Sequence, residues 1–189
     1  MPDLTGTQAV IVCEGSDDYD FARGYLGKLG AKRFVPRVNP RGKGAGNAWV
    51  RDKFAEELKA YRSRRKHLDI ILVVLTDGDG QTPAQQKRQL EHSPRMGALG
   101  QSARQPDERV LIVVPMRHIE AWFEFVVSGA CDELEKNAYK NRYRGARSKT
   151  PLRWGGELAE RCRTTAASAI ATWPAALQDA CRELTRFSV

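Results

Sequence analysis

Long apolar runs are missing from this 189-residue chain: none approaches the roughly 18 residues that a membrane-spanning helix needs. The opening "MPDLTGTQAV" has no basic segment followed by an apolar one, so no secretory signal is read there and a cytoplasmic protein is expected. Cysteine is scarce. The four, Cys13, Cys131, Cys162 and Cys181, never stand two to four residues apart, which excludes zinc-knuckle spacing; reduced thiols are expected. Acid is in deficit, with 31 Lys and Arg against 23 Asp and Glu and a formal charge of +8. That balance leans toward polyanionic partners, nucleic acid among them, and says nothing about fold. Internal repeats and low-complexity tracts are absent too. What remains is 41% hydrophobic and 29% charged, enough to bury one core and carry an appendage.

Short apolar strands alternate with amphipathic stretches over the first two-thirds. "QAVIVCEG" (8–15) reads as a buried strand, with Cys13 packed in it as a small hydrophobe. A helix follows, with Phe21, Tyr25 and Leu29 on one face and glycine at its end. "RFVPRV" (33–38) is a weaker strand that Pro36 directs to a sheet edge. A helix over 48–65 buries Val50, Phe54 and Leu58. "DIILVVLT" (69–76) is the strongest strand. Residues 82–99 form a helix started by Pro83 and interrupted near Pro94. "RVLIVVPM" (109–116) is another apolar strand, and "IEAWFEFVVSG" is helical. Strands buried on both faces and separated by helices imply βαβ crossovers and a parallel sheet. The sheet domain is expected over residues 1–130, and a basic segment with a helical appendage packed on it over 131–189.

In parallel sheets ligands collect at the carboxyl ends of the strands. Glu14 to Asp18, the pair Asp77 and Asp79, and the run Arg117-His118-Ile119-Glu120 all fall at that rim. Alternate strand positions face the same way, so Asp77 and Asp79 are expected to present their oxygens to one point, with Gly78 and Gly80 turning the backbone. Two converging carboxylates are stable around a cation, and Mg²⁺ accepts a few carboxylates plus water and phosphate. Taken alone, "DGDG" is also an ordinary turn. Glu14 and Asp18, four residues apart, share a face; Asp17 and Asp20 are read as acids that favour a helix N-terminus. Glu120 either completes the metal site or caps the helix of Trp122 and Phe123. Arg117 is placed to stabilise charge on a phosphate, and His118 is read as a structural histidine or a general base.

"VIVCEGSDDYDF" followed by "ILVVLTDGDG" resembles the TOPRIM domain, in which a strand ends in Glu-Gly with a further acid and a later strand ends in Asp-X-Asp. The spacing from Glu14 to Asp18 is similar to that of the small stand-alone and OLD-type nuclease branch, and "VPMRHIEAW" resembles a segment after the fourth strand of such proteins. The likeness covers roughly residues 8–126. It implies a Rossmann-like α/β sheet whose acidic rim binds Mg²⁺ (or Mn²⁺) and hydrolyses phosphodiesters of DNA or RNA. Glu14 would be a metal ligand or general acid/base, Asp77 and Asp79 metal ligands, and Asp18 the additional acid. Two metals in such a site activate a water and stabilise the leaving oxygen. The further domains of topoisomerases and primases have no counterpart here. A small chain without its own ATPase fits a multi-subunit system such as bacterial phage defence, with a protein partner carrying the ATPase.

Two other readings stay open. Asp-X-Asp-Gly also opens the motif of haloacid-dehalogenase-like phosphatases, although there it ends the first strand. The chain can also be a non-catalytic subunit that binds nucleic acid or a partner protein. "RGKGAGN" lacks the Gly-Lys-Ser/Thr ending of a nucleotide loop, so Arg41 and Lys43 are read as touching substrate phosphate. Residues 136–153 hold seven Lys or Arg and two Tyr but no acid. Lys140, Arg142, Arg144, Arg147 and Lys149 are the candidates there for pairing phosphates, and Tyr139 and Tyr143 for stacking bases. Replacing Arg142, Arg144 and Arg147 with alanine is expected to weaken nucleic-acid binding and flatten its salt dependence, because fewer counterions are released. A filter-binding titration with an unchanged salt slope would assign the segment to a protein partner instead.

Overall fold

The computed structural model describes residues 3–40, 46–143 and 149–186. Its strands β1 (Gln8–Cys13), β2 (Arg33–Val38), β3 (Ile70–Leu75) and β4 (Val110–Val113) form one parallel sheet in the order β2-β1-β3-β4. The central pair is in register from Gln8 beside Ile70 to Cys13 beside Leu75. Successive side chains enter opposite faces. Ala9, Ile11, Cys13, Ile71, Val73 and Leu75 fill one core, whereas Val10, Val12, Ile70, Leu72 and Val74 fill the other. β2 lies at an edge, where Pro36 costs no ladder bond.

Helices α1 (Ser16–Lys28) and α5 (Glu120–Ser128) cover the first face. The second is covered by α2 (Gly46–Arg64), α3 (Pro83–Glu91) and α4 (Pro94–Ala98). The interruption between α3 and α4 is a fresh start: Thr82 and Ser93 each accept a backbone N–H from their helix, and each is followed by proline. The result is a Rossmann-like α/β fold.

Beyond residue 130 come α6 (Ala138–Tyr143), α7 (Lys149–Thr164), α8 (Ala167–Ile170) and α9 (Ala175–Thr185). They share the first core: Trp154, Leu158 and Leu177 pack with Phe21, Tyr25 and Trp122. α7 crosses α1 backbone to backbone. A Cβ on Gly24 would stand 1.8 Å from the Leu152 carbonyl oxygen, and one on Gly155 only 1.9 Å from that of Phe21. Any side chain at either position forces the helices apart.

The expectation of four reduced thiols is corrected for two of them. Cys162 of α7 and Cys181 of α9 form a disulfide, because the packing of these helices brings their Cα atoms to 5.4 Å. Cys13 and Cys131 are free thiols.

Glu183, on α9, reaches the outer side of β4. Its buried carboxylate accepts hydrogen bonds from Lys87 Nζ at 2.6 Å, from Arg104, and from the Ile112 N–H at 3.1 Å. Burial works against its charge, but Arg104 and Lys87 prevail and hold the carboxyl below its ordinary value. A lowered folded pKa supplies stability that is present above the unfolded value and lost as pH falls through the folded one. Below about pH 4.3 the melting temperature should therefore decline. Glu183→Gln should remove part of that decline and, by urea titration, cost about 2 kcal/mol at neutral pH, because Asp179 and Glu91 still pair with Lys87 and Arg104.

Candidate active site

At the carboxyl ends of the strands lies a cavity of about 310 Å³. Glu14, Asp17, Asp18, Asp77 and Glu120 line it, together with Asn39, Gly46 and Lys140. Glu14 follows β1 directly and is gripped on one side by the residues after β3: its Oε1 accepts from Thr76 Oγ1 at 2.8 Å and from the Asp77 N–H at 3.1 Å. Its Oε2 stands 2.1 Å from where a Cβ on Gly46 would lie, so the first residue of α2 must be glycine for the carboxylate to rest against that helix end. A helix N-terminus favours such an anion. Asp18, in the first turn of α1, accepts the Gly15 N–H at 2.9 Å.

The Asp77 backbone is held from behind. Its carbonyl oxygen accepts from Gln86 Nε2 at 3.1 Å and from Asn47 Nδ2 at 3.4 Å. The following turn is clamped onto the chain after β4, with the Gly78 N–H on Pro115 O and the Gly80 N–H on Met116 O, each at 2.8 Å. A Cβ on Gly78 would meet Met116 O at 2.6 Å. Asp79 sits at the apex of this turn with φ of 51°, exposed and outside the cavity lining. The expectation that Asp77 and Asp79 face one point is corrected here. β3 ends at Leu75, so the two aspartates are turn residues and strand alternation does not extend to them.

Glu120, in the first turn of α5, lines the cavity, and His118 stands behind it. His118 is buried, with Nδ1 3.1 Å from Glu120 Oε2 but off the line of a hydrogen bond; neither ring nitrogen has a hydrogen-bond partner among the described residues. Arg117 packs over Gly80 and is not part of the cavity lining.

Crowding dominates the electrostatics. Burial, reinforced by the charge of Glu14, pushes the Asp18 carboxyl up to about 8 against the Gly15 N–H. Asp77 is pushed well above the usual carboxylate range by burial and by Asp18 and Glu14, with Lys140 opposing. Asp17 is raised by burial, Glu120 and Asp20. Glu120 is the exception: burial raises it, but His118, its own N–H and Lys140 hold it below its ordinary value. Burial and Asp18 push the Cys13 thiol up, which leaves it a packing residue.

The donors are oxygens and mostly anionic, the chemistry that a hard divalent cation takes. No three His, Cys, Asp or Glu side chains among the described residues are grouped around one metal position as they stand. The fit is one of donor type and charge. Those donors would come from Glu14, Asp18, Asp77 and Glu120.

Of the basic candidates, Lys140 lies in the cavity lining, and Arg142 pairs with Glu124. Arg41, Lys43, Arg144, Arg147 and the side chain of Lys149 lie outside the described residues. Tyr143 is taken up by the protein itself: its ring stands edge-on to Phe123 and Trp154, and its hydroxyl donates to Glu124 at 2.8 Å. The Tyr139 hydroxyl accepts the Asp132 N–H at 3.0 Å. Sequence reasoning left Asp17 as a helix-end acid and passed over Asn39. Asp17 was legible as the neighbour of Asp18 in the same first turn, and Asn39 as the residue that follows β2.

Comparison of the chain with protein-family models, curated proteins and solved structures finds no match. Gly46 offers a test of the geometry. In Gly46→Ala the new methyl meets the tip of a flexible side chain, so the melting temperature should shift by only a few degrees while Glu14 is displaced. A crystal structure of the variant with Glu14 in place would contradict the packing described here.

Proposed function

We propose that the chain is a divalent-cation-dependent phosphodiesterase, a nuclease of TOPRIM type acting in the cytoplasm on DNA or RNA. One observation carries the reading: Glu14, Asp18, Asp77 and Glu120, from three strand ends, crowd a single rim cavity where burial and mutual repulsion favour protonation of Asp18 and Asp77. Such crowding is unfavourable for folding alone and is relieved by opposite charge. Bound Mg²⁺ or Mn²⁺ would activate water and stabilise charge on the phosphate in an in-line displacement.

The chain's own residues do the rest. Thr76 and the Asp77 N–H fix Glu14 Oε1, which directs the other oxygen into the rim. Asn47 and Gln86 fix the Asp77 backbone. Asp18, whose carboxyl burial and Glu14 hold toward its protonated form, would give up that proton to a bound cation. His118 backs Glu120 and keeps it ionised. The excess of Lys and Arg favours a polyanionic substrate.

A non-catalytic subunit, binding nucleic acid or a partner that carries an ATPase, is the second reading, favoured by the position of Asp79 outside the cavity. Asp77→Asn separates the two. The variant keeps the side chain's size and removes its charge. Cleavage of single- or double-stranded DNA or RNA in Mg²⁺ or Mn²⁺ should fall by orders of magnitude while binding persists. The metal-free melting temperature should hold or rise as repulsion is relieved. Full cleavage by Asp77→Asn would reject the mechanism, and a parent protein inert on every substrate would favour the subunit reading.

A further inference from the structure

Lys140 is the one cationic side chain among the described residues lining the acidic cavity. α6, which carries it, is pinned at both ends. Glu135 accepts the Ala138 N–H at 2.6 Å and the Tyr139 N–H at 3.3 Å. At the other end Arg142 and the Tyr143 hydroxyl both engage Glu124, and the Tyr143 ring lies against Phe123 and Trp154. The backbone of Lys140 is thereby fixed at the cavity, while the side chain remains exposed on a flexible four-carbon stem. Five carboxylates share that lining with it: Glu14, Asp17, Asp18, Asp77 and Glu120.

We propose that Lys140 is the resident counter-cation of this cavity, offsetting the negative charge of its lining in the metal-free protein and competing there with a divalent cation. The competition half rests on reading the cavity as a cation site; the neutralising half does not. One ammonium among five lining carboxylates leaves the cavity net acidic, so Lys140 tunes cation affinity without closing the site. A tethered monovalent charge is displaced by a divalent one with higher charge density. It swings out on its stem into solvent as the divalent cation enters.

The test titrates Mn²⁺ into the full chain by calorimetry, comparing the parent with Lys140→Gln and with Lys136→Gln, which removes an exposed charge outside the cavity lining. Lys140→Gln should bind Mn²⁺ about tenfold more tightly, the scale of one screened charge at short range, and Lys136→Gln should match the parent. Unchanged or weaker affinity in Lys140→Gln, or an equal gain in Lys136→Gln, overturns the competition. If no protein takes up Mn²⁺, the cation reading of the cavity falls, and melting in chelator decides the counter-cation by itself. Lys140→Gln should then lower the melting temperature of the parent but not of the Asp77→Asn, Glu120→Gln double variant. An equal loss in both backgrounds overturns the proposal.

Discussion

Glu14, Asp18, Asp77 and Glu120 repel one another, and each is held by something other than its neighbours. A hydroxyl and a peptide N–H grip Glu14, a helix-start N–H grips Asp18, two side-chain amides hold the Asp77 backbone, and a buried imidazole stands behind Glu120. These supports come from the segments after β3 and β4, the residue before α1, and helices α2 and α3. The sheet and its helices thus supply the free energy that keeps like charges together.

The sheet was legible because its strands are buried on both faces and read as unbroken apolar runs. The rim was legible for a related reason: once the connections are crossovers, every residue after a strand falls at the same end. Glu14, Asp18, Asp77 and Glu120 therefore came out of the sequence together. Asp79 was misplaced because its position depends on the backbone of Pro115 and Met116, 36 and 37 residues further along the chain and invisible to local periodicity. Lys140 was identified as basic but not as a cavity residue, since only the packing of α6 on α5 brings it there. The same holds for Cys162 and Cys181. Their pairing depends on how two helices cross, and nothing in their spacing announces it.

The helical appendage is integral to the site's architecture. Gly24 and Gly155 let α7 lie on α1 with their backbones in contact, and the first turn of α1 carries Asp17 and Asp18. Side chains on α7 and α9 then complete the core under α1 and α5. A bulkier residue at either glycine would lift α1 and the two acids in its first turn. A position remote from the cavity therefore bears on its geometry through rigid helix displacement.

The outer flank of β4 shows what else the last helix does. Outward-facing groups there are engaged by side chains: Arg104 donates to the Val110 carbonyl at 2.9 Å, and Glu183 takes the Ile112 N–H. At the opposite flank Pro36 has no N–H to offer. Exposed ladders of unpaired peptide groups are templates on which another chain can add a strand, the first step of edge-to-edge aggregation. Both flanks of this sheet are blunted, one by a proline within the strand and the other by a carboxylate and a guanidinium brought from elsewhere. A chain that had not yet folded its final helix would carry β4 with a carbonyl guarded and an amide bare. Resistance to self-association is therefore completed only when the C-terminal helix docks.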